Sequence, residues 1–188
     1  MIPSLSRAPA LKLTRPIVLV GLMGAGKTTV GRRLADKLRI DFYDADEEIE
    51  ASAHMRISDI FEAYGEPAFR DGERKVIERL LDGPPHVLAT GGGAFMNDQT
   101  RALVKEQATS LWLKADLDLL VKRTAHRNHR PLLRTGDPRE ILDKLLKERA
   151  PVYANADISV DSIEGPHHKT VDKIIRTLQE YKKAGNPL

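Results

Sequence analysis

The sequence predicts an α/β fold in three layers, with helices on both faces of a five-stranded parallel sheet, and two observations predict it. Short apolar runs alternate with amphipathic stretches along the chain, the pattern of parallel strands joined through helices. One junction, Gly21-Leu22-Met23-Gly24-Ala25-Gly26-Lys27-Thr28, carries an apolar strand into a helix through a glycine-rich turn.

The elements follow in order. Ile17-Val18-Leu19-Val20 is rich in β-branched residues and runs into glycines, so it is the first strand. From Thr28 to Leu38, Val30, Leu34 and Leu38 recur four apart and share one helix face. A short strand is expected at about Asp41 to Tyr43, then a polar helix from Asp46. Ile57 to Tyr64 and Pro67 to Leu81 read as two helices separated by Gly65. Val87-Leu88-Ala89-Thr90 is a buried strand ending in Gly91-Gly92-Gly93. Ser110-Leu111-Trp112-Leu113 is the next strand, and Leu117 to Thr124 the next helix. His126 to Asp137, crowded with Arg, His, Asn, Pro and Gly, reads as a long mobile loop. A helix from Arg139 to about Arg149 is expected to stop before Pro151. Ile158-Ser159-Val160 is the last strand, and Thr170 to Tyr181 the closing helix. The reading gives one domain over residues 16–183, a flexible extension over 1–15 and a tail over 184–188. In such a sheet, ligands meet the C-terminal ends of the strands.

Composition narrows the function. Of 188 residues, 41% are hydrophobic and 30% charged, an ordinary globular mix that excludes wholesale disorder. Thirty Lys and Arg stand against 27 Asp and Glu, so the excess is small; it suits a polyanionic nucleotide, and no base-reading motif supports a nucleic-acid partner. The absence of cysteine excludes disulfides, thiolate metal sites and a thiol nucleophile. No apolar run approaches the roughly 18 residues that cross a bilayer. The basic N-terminal stretch with Arg7, Lys12 and Arg15 lacks the apolar core of a secretory signal. A cytoplasmic monomer without nucleic-acid or membrane partners is expected.

The Gly21–Thr28 segment satisfies G-x-x-x-x-G-K-[S/T] in full. Its glycines let successive N–H groups point at phosphate oxygens, and the helix that follows adds the positive end of its dipole. Gly24, Ala25, Gly26, Lys27, Thr28 and Thr29 are thus the candidate nucleotide-binding residues. Lys27 offers a point charge to the β- and γ-phosphates, and the Thr28 hydroxyl suits a Mg²⁺ ligand. The base-specifying N-K-x-D of GTPases is missing and the chain is short for an ATPase machine. A small Mg-ATP-dependent kinase remains.

The acceptor site is read less directly. Asp44 and Asp46 lie two apart past the second strand, so an extended chain would project both carboxylates to one side. Asp46 could equally cap the helix that Glu47 and Glu48 continue. Arg70 and Glu73, three apart, share a helix face and on spacing alone favour an exposed ion pair. Gly91-Gly92-Gly93 lets backbone press against a ligand where a side chain would intrude, or forms a plain turn. Arg123, Arg127, Arg130 and Arg134 fit either a lid that excludes water from the γ-phosphate or a solvated basic surface.

Taken together, GLMGAGKTTVGRRLA, FYDADEEIE, FRDGERKVI, VLATGGG, RPLL and ERAPVYANAD resemble the shikimate kinases in order and approximate spacing, from about Ile17 to Tyr181. The resemblance implies shikimate binding by Asp46, Arg70, Gly92 and Arg149, with Glu73, Gly91 and Gly93 beside them. It implies a Mg²⁺ environment of Thr28 and Asp44, the latter through water. It also implies a lid arginine at Arg130 contacting ATP and an arginine at Arg123 stacking near adenine. Lys27, Asp46 and Arg130 become the expected catalytic residues, with Asp46 orienting the 3-hydroxyl and taking its proton. A kinase of the same architecture acting on gluconate or a nucleoside monophosphate is the nearest alternative, and a non-catalytic nucleotide- or RNA-binding module a more distant one.

Overall fold

A computed structural model describes residues 11–125 and 136–188. Its strands β1 (Ile17–Val20), β2 (Phe42–Asp44), β3 (Val87–Ala89), β4 (Thr109–Lys114) and β5 (Ile158–Asp161) form one parallel sheet in the order β2-β3-β1-β4-β5. Strands covered on both faces need no polar alternation. Accordingly β1 and β3 are buried along their whole length.

The helices among the described residues are α1 (Lys27–Leu38), α2 (Ala45–Ala53), α3 (Ile57–Leu81), α4 (Asp98–Gln107), α5 (Leu117–Thr124), α6 (Pro138–Tyr153) and α7 (His167–Lys183). From β1 the chain crosses to the sheet edge through α1, and every later crossover runs the opposite way. Right-handed connections therefore put α1 on one face, where α7 packs against it, and α3, α4, α5 and α6 on the other. Three layers result.

Several boundaries differ from expectation. β2 sits one residue later, so Asp44 is its last residue and also the N-cap of α2, accepting from the Asp46 N–H. The two helices expected around Gly65 are both present: within Ile57–Leu81 the helix is interrupted at Gly65, which is non-helical at φ 79°. Helix α4 and the 3₁₀ turn before it (Ala94–Met96) were not anticipated. Helix α6 runs through Pro151 rather than stopping before it. Proline forfeits one N–H, but the ladder resumes where Ala154 N–H donates to the Ala150 carbonyl at 2.9 Å. Tyr153, fully buried, anchors that extra turn. The loop with Arg127, Arg130 and Arg134 lies outside the described residues up to 135. Leu11 and Leu13 pack on the core, and Thr14 N–H donates to the Leu188 carbonyl at 2.6 Å, so residues 11–14 and the final residue lie against each other.

The seating of α1 decides where the glycine-rich turn points. A methyl group on Gly31 would come within 2.6 Å of Phe42 and 3.0 Å of Leu19. Gly31→Ala is therefore expected to destabilise the fold by about 1–3 kcal/mol through overpacking, despite alanine's better helix propensity. Urea unfolding measures it; a gain in stability would show that α1 shifts freely.

Candidate active site

The glycine-rich turn lies where β1 ends. Gly26 caps α1 at φ 96°, a left-handed conformation that glycine adopts without penalty. Val30 N–H is bonded to the Gly26 carbonyl at 2.9 Å, and the amides before it, through Thr29, form the open N-terminus of α1. That end can hold an anion. The Lys27 ammonium is buried and donates to the carbonyls of Gly21 (2.6 Å) and Leu22 (3.1 Å).

Ala25 is fixed from outside the turn. Its carbonyl accepts from the Ser162 hydroxyl at 2.9 Å and from Arg123 Nη1 at 3.0 Å, while Arg123 also donates to Ser162 and to the Ile163 carbonyl. Arg123 thus ties the turn to the chain after β5. Ser162 was missed by sequence reasoning, because nothing local marks a serine that acts through a contact 137 residues away.

Thr28 and Asp44 meet. The threonine hydroxyl donates to Asp44 Oδ2 at 2.7 Å, and Asp44 Oδ1 accepts the Asp46 N–H at 3.0 Å. The helix cap is Asp44, not Asp46. Hydroxyl and carboxylate oxygens at this point fit a hard cation such as Mg²⁺. Among the described residues no cluster of three or more His, Cys, Asp or Glu could hold a metal alone. Phosphate and water oxygens would have to complete its shell.

The turn after β3 gathers the remaining candidates. The Thr90 hydroxyl donates to the Leu19 carbonyl at 2.9 Å, tying the start of that turn to β1. Each following glycine faces a different side chain, as shown by what a Cβ there would meet. At Gly91 it would lie 3.1 Å from Asp46 Oδ1 and 3.2 Å from Glu73 Oε1. At Gly92 it would lie 3.4 Å from Arg149 Nη1 and 3.4 Å from the Met23 nitrogen. At Gly93 it would lie 2.8 Å from Arg70 Cζ. One glycine turn therefore brings α2, α3, α6 and the phosphate-loop backbone to a common space.

Electrostatics reinforce the geometry. Arg70 pairs with Glu73 at 2.7 Å and with Glu66 at 3.2 Å. Burial works against the arginine's charge, but the carboxylates outweigh it and its pKa is raised. Glu73, only 2% exposed, is the opposite case: burial pushes its carboxyl above the ordinary range despite Arg70, and Asp46 and Glu66 add to the push. Its Oε1 has no hydrogen-bond partner among the described residues. A buried, unmatched oxygen facing a glycine-lined space is suited to a ligand's polar group. The expected surface ion pair is thus half-buried and turned inward.

The chain matches the family model described as shikimate kinase over residues 23–179. A shikimate kinase of Paramagnetospirillum magneticum is 57% identical over 176 residues, covering 93% of this chain and 90% of that protein. The structure of shikimate kinase from Acinetobacter baumannii in complex with shikimate matches with a TM-score of 0.86 at 38% identity, covering 90% of this chain and 95% of that one. A gluconokinase from Sinorhizobium meliloti, at TM-score 0.62 and 18% identity over 92% of this chain and 96% of that one, shares the fold alone. A phosphate loop opening α1, a glycine turn ringed by two arginines and two carboxylates, and a family match spanning both lead to one assignment: the chain belongs to the shikimate kinase family.

Proposed function

We propose that this site transfers the γ-phosphoryl group of ATP to the 3-hydroxyl of shikimate, giving shikimate 3-phosphate and ADP. The observation that carries the reading is the Gly91–Gly93 turn, which faces Asp46, Glu73, Arg149 and Arg70 in one space beside the phosphate loop. A compact acid with several hydroxyls matches that set: guanidinium groups for its carboxylate, carboxylates for its hydroxyls.

Arg70 and Arg149 hold the substrate carboxylate. Asp46 orients the 3-hydroxyl and accepts its proton as the new O–P bond forms and the bond to the β-phosphate oxygen breaks. Glu73 keeps Arg70 in place and presents Oε1 to the substrate. Gly24, Ala25, Gly26, Thr28 and Thr29 cradle the phosphates, and Lys27 turns from the Gly21 and Leu22 carbonyls to the β- and γ-oxygens. Thr28, and Asp44 through water, would hold Mg²⁺ accompanying ATP; bound there, the ion neutralises phosphate charge. Arg123 offers a flat cation to adenine, and Arg130, outside the described residues, is assigned to contact ATP. No helix among the described residues is long and apolar enough to cross a membrane. A cytoplasmic monomer fits the same reading, its one domain widened from the expected 16–183 by the packing of Leu11, Leu13 and Leu188 on the core.

A coupled ADP-release assay with Mg-ATP, comparing shikimate, gluconate and AMP, tests the function. Turnover is expected with shikimate; turnover with gluconate or AMP and none with shikimate would sink it. Gly93→Ala offers a finer check. Its methyl group lands on the Arg70 guanidinium, which Glu73 and Glu66 hold in place. The KM for shikimate should rise about tenfold, as for a displaced charge-assisted hydrogen bond, with the KM for ATP unmoved. Equal changes in both constants would contradict the assignment of Arg70.

A further inference from the structure

Gly92 presents a carbonyl that receives two donors from one helix. Arg149 Nη1 reaches it at 3.0 Å, and the Tyr153 hydroxyl donates to the same oxygen. The two residues lie four apart on α6, hence on one face. A carbonyl has two lone pairs, so this pair of donors saturates it. On the proposed function, Arg149 must turn to the substrate's carboxylate, and one of those bonds is then lost.

We propose that Tyr153 is the positioning residue of the acceptor pocket, keeping the Gly92 carbonyl bonded and in place so that Arg149 is released to the substrate carboxylate. This inference rests on the shikimate-binding reading of the site. Tyr153 is built for a static task. It is fully buried, its ring lies 5.9 Å from that of Trp112 on β4, and it closes the turn that carries α6 past Pro151. Burial pushes its hydroxyl up to about 12, so it remains a donor throughout the working pH range. Arg149, by contrast, is half-buried and has a flexible stem. The division of labour follows from the chemistry: the phenol has one donor and a packed ring, whereas the guanidinium has several donors and can exchange one partner for another. A Cβ on Gly92 would lie 3.4 Å from the Met23 nitrogen and 3.6 Å from the Gly21 carbonyl, so this peptide borders the phosphate loop and its placement bears on both halves of the site.

Tyr153→Phe in the full chain tests the inference, since it removes the hydroxyl and keeps the ring. The KM for shikimate should rise about tenfold, in line with a lost hydrogen bond to a buried carbonyl, while kcat and the KM for ATP stay within about twofold. The same substitution should have a much smaller effect in an Arg149→Met background, because both changes act on one step. An unchanged KM for shikimate, equal loss in both backgrounds, or a uniform loss in kcat and both KM values would overturn it, the last by showing a purely structural role. Failure of the underlying reading would appear separately, as a wild-type enzyme that does not turn over shikimate. If Tyr153→Phe does not fold, glycine ¹³C-carbonyl labelling of the wild type carries the test. The Gly92 signal should stay at a hydrogen-bonded shift when shikimate saturates the protein; a move to an unbonded shift would overturn the proposal.

Discussion

Asp46→Asn should lower kcat by about 10²–10⁴, the range for loss of a positioned general base, with ATP affinity near wild type. Asparagine keeps the size of the side chain and its reach toward Gly91, where Asp46 Oδ1 lies beside Glu73 Oε1. What it loses is the ability to take a proton. The helix cap is unaffected, because Asp44 performs it through the Asp46 backbone N–H, which asparagine retains. The cap is thus Asp44's, and the proposed proton transfer is assigned to Asp46 alone. Single-turnover phosphoryl transfer and ATP titration measure both quantities, and unchanged turnover would remove Asp46 from the mechanism.

Lys27→Met should reduce kcat/KM by about 10²–10³, the range for removing one preorganised donor from a developing charge. Methionine replaces most of the apolar stem of a side chain that is only 8% exposed, so the fold should survive. The ammonium now bonded to the Gly21 and Leu22 carbonyls is what disappears. In a loose phosphoryl transition state, negative charge spreads over the equatorial oxygens, and positioning plus neutralisation supply most of the catalysis. The loss should therefore appear in the chemical step more than in ATP binding. A variant with full kcat would show that the lysine only shapes the loop.

The sequence was most legible where local pattern and chemistry coincide. β1 and α5 begin and end where the apolar runs do, and the phosphate loop follows from its glycines and its place between strand and helix. Helix α4 escaped notice because its ten residues bury only Thr100 and Val104, too few for a clear apolar stripe. Pro151 misled in the opposite direction: a local rule against proline was outweighed by burial of Tyr153 two residues on.

The candidate site divides along the same line. The phosphate loop is contiguous in the chain and could be read from it. The acceptor half is assembled from contacts such as Arg149 to Gly92, 57 positions apart, which no local pattern announces, so in the sequence it rested on the family resemblance. Glu73 illustrates the limit. An i,i+3 pair with Arg70 says nothing about burial, yet Glu73 is only 2% exposed and its Oε1 faces the glycine turn. Tyr153 and Ser162 carry no chemical signature of their own, since each acts by holding a backbone carbonyl.

On the proposed function, this pocket presents one hydroxyl of shikimate, the 3-hydroxyl, to the γ-phosphate. NMR of the product formed from Mg-ATP and shikimate tests it most directly, through phosphorus–proton coupling at the esterified carbon. A single monoester coupled to the proton on carbon 3 is the result predicted; a phosphate on another hydroxyl, or a mixture of esters, would contradict it.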